Sequence, residues 1–199
     1  NKEKSKLPDH FVIFEPKDVV SGDFYWSHIV KENGNEIIYI SVVDCSEYGV
    51  PGAFMSMLGL SFVNEILLNN PLIMPSELRE QLQNKIASEL RQDGEFKEGM
   101  DLSVIRINMS SFEMQFSGTK NPLFIIVNNE LIDASIEKQI FKNQEFKLKK
   151  GAILYLFTDG FTNQIGGVKN NKIGNQKFKE LLQLQSNYPI AEQKENLLT

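Results

Sequence analysis

The chain is poor in cysteine, histidine and tryptophan, and it has no surplus of positive charge. Its one cysteine, Cys45, excludes an internal disulfide framework and a cysteine-rich zinc site, and it fits a reducing compartment. The two histidines, His10 and His28, stand far apart in the sequence, which argues against a His-rich metal site and histidine-centred catalysis. There are 21 basic residues against 26 acidic ones, a net charge of −5, and no basic stripe interleaved with aromatics. That balance argues against nucleic acid or an anionic membrane surface as the main partner. No apolar run reads as reaching the length of a membrane span, and no signal-peptide pattern is present, so a cytoplasmic location is expected. The chemistry that remains rests on carboxylates.

What is present is ordinary for a globular domain. The 199 residues suffice for one core and are too few for two comfortable ones. The 41% hydrophobic and 24% charged content points the same way. The chain starts at Asn1 without a methionine and is read as part of something longer. Residues 1–10 are expected to be a linker from an upstream region, and 11–199 a single domain.

Short β-rich runs occupy 11–16, 23–30 and 36–44. Residues 50–70 read as a helix with Pro51 in its first turn, and its apolar residues cover enough of the circumference to predict burial on more than one side. An amphipathic helix is expected over 75–92, with Ser76 as its cap. Strands resume at 102–108, 112–118, 122–128, 145–150 and 152–159, and helices at 175–185 and near 189–198. Many antiparallel-looking strands with a few helices give an α+β sandwich, not an alternating parallel fold.

One turn fixes a register. Asn33-Gly34 is a hairpin signal, because a type I′ turn needs positive φ at both central residues. Making that pair the loop sets Lys31 opposite Glu36, an attractive cross-strand pair, and His28 opposite Tyr39. Extended without a bulge, the same register sets Asp23 opposite Asp44. Facing carboxylates with no basic residue nearby in either strand call for a cation or a shared proton, and hard divalent ions take such ligands. The alternative is two independent turn residues. A third apolar run, AILYLFTDG, ends in Asp159 before a glycine, which by itself is ordinary turn chemistry.

The segments PKDVVSGDFYW (16–26), VVDCSEYGVPGAFMSMLG (42–59), EGMDLSVIRIN, FSGTKNPLFII and LYLFTDGFTNQIGG stand in an order that resembles the SpoIIE-like branch of the PPM metal-dependent serine/threonine protein phosphatases. The resemblance spans about residues 7–184. It implies an αββα sandwich of two mainly antiparallel sheets flanked by helices, with strand ends converging on two Mn²⁺ or Mg²⁺ ions. Carried over by motif, Asp44 bridges the ions, Asp23 and the backbone carbonyl of Cys45 complete one, and Asp159 binds the other. Water activated by the ions would attack a phosphoserine or phosphothreonine. The implied partners are a phosphorylated regulatory protein, such as an anti-anti-sigma-type factor, and an upstream sensor or regulatory domain. A homodimer also fits this branch.

Two departures from the family pattern stand out. Glu47-Tyr48 replaces a Gly-His pair beside Asp44, which adds negative charge and removes backbone freedom. Nothing after Asp159 matches the family's closing Asp-Asp strand, so the domain is expected to lack it. A catalytically weak or inactive module acting by regulated protein binding is therefore the second reading. Glu98 and Asp101 read as solvated strand-entry residues or as neighbours of the cleft. Lys17 reads as a salt-bridge partner of Asp18 or Glu15. Phe54, Met55, Met57, Leu58 and Phe62 read as core, Trp26 as packing, and His28 with Tyr39 as a structural pair.

Overall fold

The computed structural model of the chain describes residues 7–17, 19–45, 49–89, 100–118, 122–135, 141–166 and 171–198. β1 (Phe24–Glu32) and β2 (Asn35–Cys45) form a hairpin. Two helices follow, α1 (Gly49–Asn69) and α2 (Pro75–Glu89), then β3 (Met100–Asn108), β4 (Glu113–Ser117), β5 (Leu123–Val127) and β6 (Glu130–Asp133). After these come β7 (Gln144–Lys147), β8 (Ile153–Leu156), the short β9 (Ile165–Gly166) and β10 (Asn171–Lys172), and finally α3 (Gly174–Gln185) and α4 (Ile190–Leu198).

The hairpin has the expected register. Asn33 and Gly34 take φ of 51° and 84°, and Lys31 pairs with Glu36, Val30 with Ile37, and His28 with Tyr39. The hairpin opens a five-stranded antiparallel sheet in the order β1-β2-β3-β4-β7. A second sheet runs β6-β5-β8, and β9 and β10 make a two-stranded ribbon.

Strand alternation then builds the layers. On one face of the large sheet, Tyr39, Val43, Leu102 and Val104 pack with Val63, Leu67, Leu78 and Leu82 of α1 and α2. On the other face, Ile105, Ile107, Met114 and Phe116 meet Leu123, Ile125 and Leu154 of the small sheet. Beyond that sheet, Phe124, Ile126 and Tyr155 pack with Phe178 and Leu182 of α3. Three apolar interfaces between four layers give an αββα sandwich, as the motifs predicted. Each large side chain fully buried in them contributes about 1.5–3 kcal/mol of transfer free energy.

Where the sequence reading fails, another contact explains the difference. Residues 11–16 form no strand. Phe11 packs against the α3 core instead, and the Phe14 ring lies edge-on to Tyr25 at 6.0 Å. Ser76 does not cap α2, which starts one residue earlier. Asn143 does this from across the fold, accepting from the Ser76 N–H at 2.9 Å and donating to the Ser76 hydroxyl at 2.9 Å.

α1 departs most from expectation. By length and apolarity it does suffice to cross a membrane, contrary to the sequence reading. Its inner face, with Gly52, Gly59, Val63, Ile66 and Leu67, is buried in the fold. Its outer face is open: Val50, Phe54 and Met57 are 63%, 64% and 69% exposed. So Phe54 and Met57 are not core, whereas Met55 and Phe62 do pack on it. Gly59 permits a close approach to the strand ends, since a Cβ there would stand 2.6 Å from the Met100 sulfur and 3.2 Å from Phe24. Those two residues adjoin Asp101 and Asp23.

Candidate active site

Asp44 is the penultimate residue of β2. In the ladder it pairs directly with Asp101 of β3. On its other side the last β1 pair is Phe24 with Val43, which leaves Asp23 one step beyond the ladder and next to Asp44. Val43 and Leu102 turn towards the helices. Alternation therefore turns Asp44 and Asp101 the opposite way, towards the small sheet. From that sheet the chain leaves β8 through Phe157 and Thr158 into the turn at Asp159. The Thr158 hydroxyl donates to Asp23 Oδ2 at 2.8 Å, so the two sheets are tied at the carboxylates.

The electrostatics follow from this crowding. Burial, together with the charges of Asp23, Asp159 and Asp101, pushes the Asp44 carboxyl up to about 7. Asp23 is raised by burial and by Asp159, although hydrogen bonds from Thr158 and with Asp44 oppose the rise. Asp23 and Asp44 share a hydrogen bond, so the two carboxyls titrate as a pair, and burial favours its protonated form. Burial and the same two carboxylates push the Cys45 thiol up to about 12. It stays protonated and is no nucleophile.

The donor set suits a hard divalent ion: carboxylate oxygens and the nearby Cys45 carbonyl, with no thiolate or imidazole. Among the described residues, no three acidic, histidine or cysteine side chains are gathered tightly enough to clasp an ion as they stand. Asp23 and Asp44 form the nucleus of the set. Asp159 is exposed in its turn, where its carbonyl accepts from the Asn163 N–H at 2.9 Å and the Thr162 hydroxyl at 3.0 Å.

Other sequence candidates fall differently. Asp18, Glu47, Tyr48 and Glu98 lie outside the described residues. Lys17 is exposed. Trp26 is buried, donates to Asn64 Oδ1 at 3.1 Å and stacks on His28 at 5.6 Å, so both are packing residues. Sequence reasoning gave Asp101 little weight and did not single out Thr158. Placing Asp101 would have needed the β2–β3 register, which no local turn specifies. Thr158 sits beside Asp159, but its partner is far away in the sequence.

Comparison with known proteins agrees with this architecture. The family model described as Stage II sporulation protein E (SpoIIE) matches residues 35–199, which takes in Asp44, Cys45, Asp101 and Asp159 but not Asp23. Among solved structures, the SiaA-PP2C domain of Pseudomonas aeruginosa is 27% identical with a TM-score of 0.84. That match covers 95% of this chain and 76% of that one. The PP2C phosphatase domain of SpoIIE from Bacillus subtilis, solved with a fragment of its regulatory domain, is 17% identical with a TM-score of 0.65, over 91% of this chain and 54% of that one. RsbX, solved in complex with magnesium, is 13% identical with a TM-score of 0.62, over 91% of this chain and 80% of that one. No curated sequence relative was found to match the chain.

Proposed function

The chain belongs to the SpoIIE family and has the PPM-type phosphatase fold, and from that premise we propose that it is a metal-dependent protein serine/threonine phosphatase domain. Its substrate in this reading is a phosphoserine or phosphothreonine on a bacterial regulatory protein, and an upstream sensor or regulatory domain controls it. The observation that carries the proposal is Asp44, flanked by Asp101 in the ladder and by Asp23 beyond it, its carboxyl raised by burial and by the neighbouring carboxylates.

Asp23, Asp44, Asp159 and the Cys45 carbonyl are the groups that would hold two Mn²⁺ or Mg²⁺ ions. Bound there, such ions supply an acidified water as nucleophile and neutralise charge on the phosphoryl oxygens. The protein's own groups do the rest. In their ionised form Asp44 and Asp23 concentrate negative charge at one point between the sheets. Asp159, in its exposed turn, is the one of these carboxylates open to solvent. A thiol-based phosphoryl transfer is disfavoured, because Cys45 is buried and protonated.

The expected result is hydrolysis of p-nitrophenyl phosphate that requires Mn²⁺ or Mg²⁺, stops with EDTA and returns when metal is added back. The departure at Glu47-Tyr48 favours the second reading, a phosphatase-like module that acts by binding its partner. Absence of hydrolysis at saturating Mn²⁺ would decide for that second reading.

A further inference from the structure

We propose that Thr158 is a positioning residue for Asp23, whose carboxylate its hydroxyl orients for divalent-ion binding from the opposite sheet. The proposal rests on the metal-dependent reading above.

The need for such a residue comes from where Asp23 lies. It is one step past the last β1–β2 pair, so no cross-strand ladder bond fixes its backbone. Its N–H is held locally, donating to the Ser21 hydroxyl at 3.0 Å. The Ser56 hydroxyl of α1, bonded at 2.9 Å to the Ala53 carbonyl, also stands 3.3 Å from the Ser21 carbonyl. These contacts place the main chain, whereas the side chain has its hydrogen bond with Asp44, which two ionised carboxylates cannot keep. Facing Asp44, an ionised Asp23 would swing away from its like charge.

Thr158 supplies the missing constraint. Its hydroxyl donates to Oδ2 at 2.8 Å, a bond that spans 135 positions in the sequence and joins the two sheets. Threonine is β-branched and stiff at χ1, so the donor direction is set by the backbone of the turn. The bond uses one lone pair of Oδ2, and once the hydrogen bond with Asp44 is given up the remaining lone pairs are available to an ion. Because Asp159 follows directly, one short segment after β8 sets the positions of two carboxylates at once.

The test is Mn²⁺ titration by calorimetry at pH 8, with melting of each metal-free protein recorded in parallel. Thr158→Val keeps the shape and removes the donor, and is expected to weaken Mn²⁺ binding about 10–100-fold. Thr158→Ser keeps the donor and should stay within about 3-fold of the wild type, since only the stiffness at χ1 is lost. Both metal-free variants should melt within about 2 °C of the wild type, a shift equivalent to under 1 kcal/mol in a domain of this size. If the wild type binds Mn²⁺ and Thr158→Val binds it equally well, the positioning role is overturned while the metal-dependent reading stands. It is also overturned if Thr158→Ser is as weak as Thr158→Val. A wild type that binds no Mn²⁺ overturns both.

Discussion

Asp44→Asn should lower metal-dependent phosphate-ester hydrolysis by at least about 10³-fold, equivalent to roughly 4 kcal/mol of lost transition-state stabilisation. Asp44 has a carboxylate neighbour on either side, Asp101 in the ladder and Asp23 beyond it, and so serves more of the site than any other residue. Asparagine keeps the size and one carbonyl oxygen but cannot bring a negative charge to the ions. The substitution should also strengthen the metal-free fold. It relieves the repulsion that, with burial, raises the Asp44 carboxyl to about 7. At pH 8 the gain should be about 1–2 kcal/mol, because the group is only half-buried and solvent screens much of the interaction. Loss of activity with gain in stability is the signature sought. A variant that loses activity and also unfolds more easily would place Asp44 in the architecture instead of the chemistry.

The second large effect is a pH-dependent stability that metal reverses. In the folded protein Asp44 titrates near 7, against 3.8 as its ordinary value. The native state therefore holds its proton more tightly than the unfolded chain does. The stability linked to that proton is complete below the ordinary value and is lost as pH rises through 7. After discounting for exposure, the metal-free domain should lose about 1–2 kcal/mol between pH 5 and pH 8, or roughly 3–8 °C in Tm. Mn²⁺ at one hundred times its dissociation constant should return about 2.7 kcal/mol at pH 8. At pH 5 it should return far less, because protons compete for the same oxygens. Asp133 does not confuse this window. Burial raises it, but hydrogen bonds from Lys179 and Ser135 outweigh that and hold it below its ordinary value. Its contribution is therefore lost only as pH falls below the ordinary carboxylate range. Thermal melts at four pH values, each with EDTA or with Mn²⁺, make the measurement. A Tm that is flat from pH 5 to 8 and indifferent to Mn²⁺ would contradict the account.

How much of this was legible in the sequence depended on how local the cause was. Asn33-Gly34 set the hairpin because a two-residue I′ turn leaves one register, and that register brought Asp23 beside Asp44. Strand patterns and apolar helix faces gave an α+β sandwich, and the αββα layering came from the family resemblance of the motifs. Effects that depend on distant partners were not legible. The cap of α2 comes from Asn143, not from Ser76. FVIFEP has strand-like composition, yet its aromatic residues are spent on packing against Tyr25 and the α3 core. The apolar outer face of α1 looked like core because composition cannot tell a covered face from an open one. Asp101 looked like a solvated strand entry, and only the pairing of β2 with β3 sets it beside Asp44.

The central claim is that the carboxylates at the ends of these strands form a divalent-ion site. Anomalous diffraction at the manganese edge, from crystals grown with Mn²⁺, tests it most directly. The account expects manganese between the end of β2 and the turn after β8, with oxygens of Asp23, Asp44 and Asp159 about 2.0–2.6 Å from the ions. Manganese bound elsewhere, with these three carboxylates left unliganded, would contradict it.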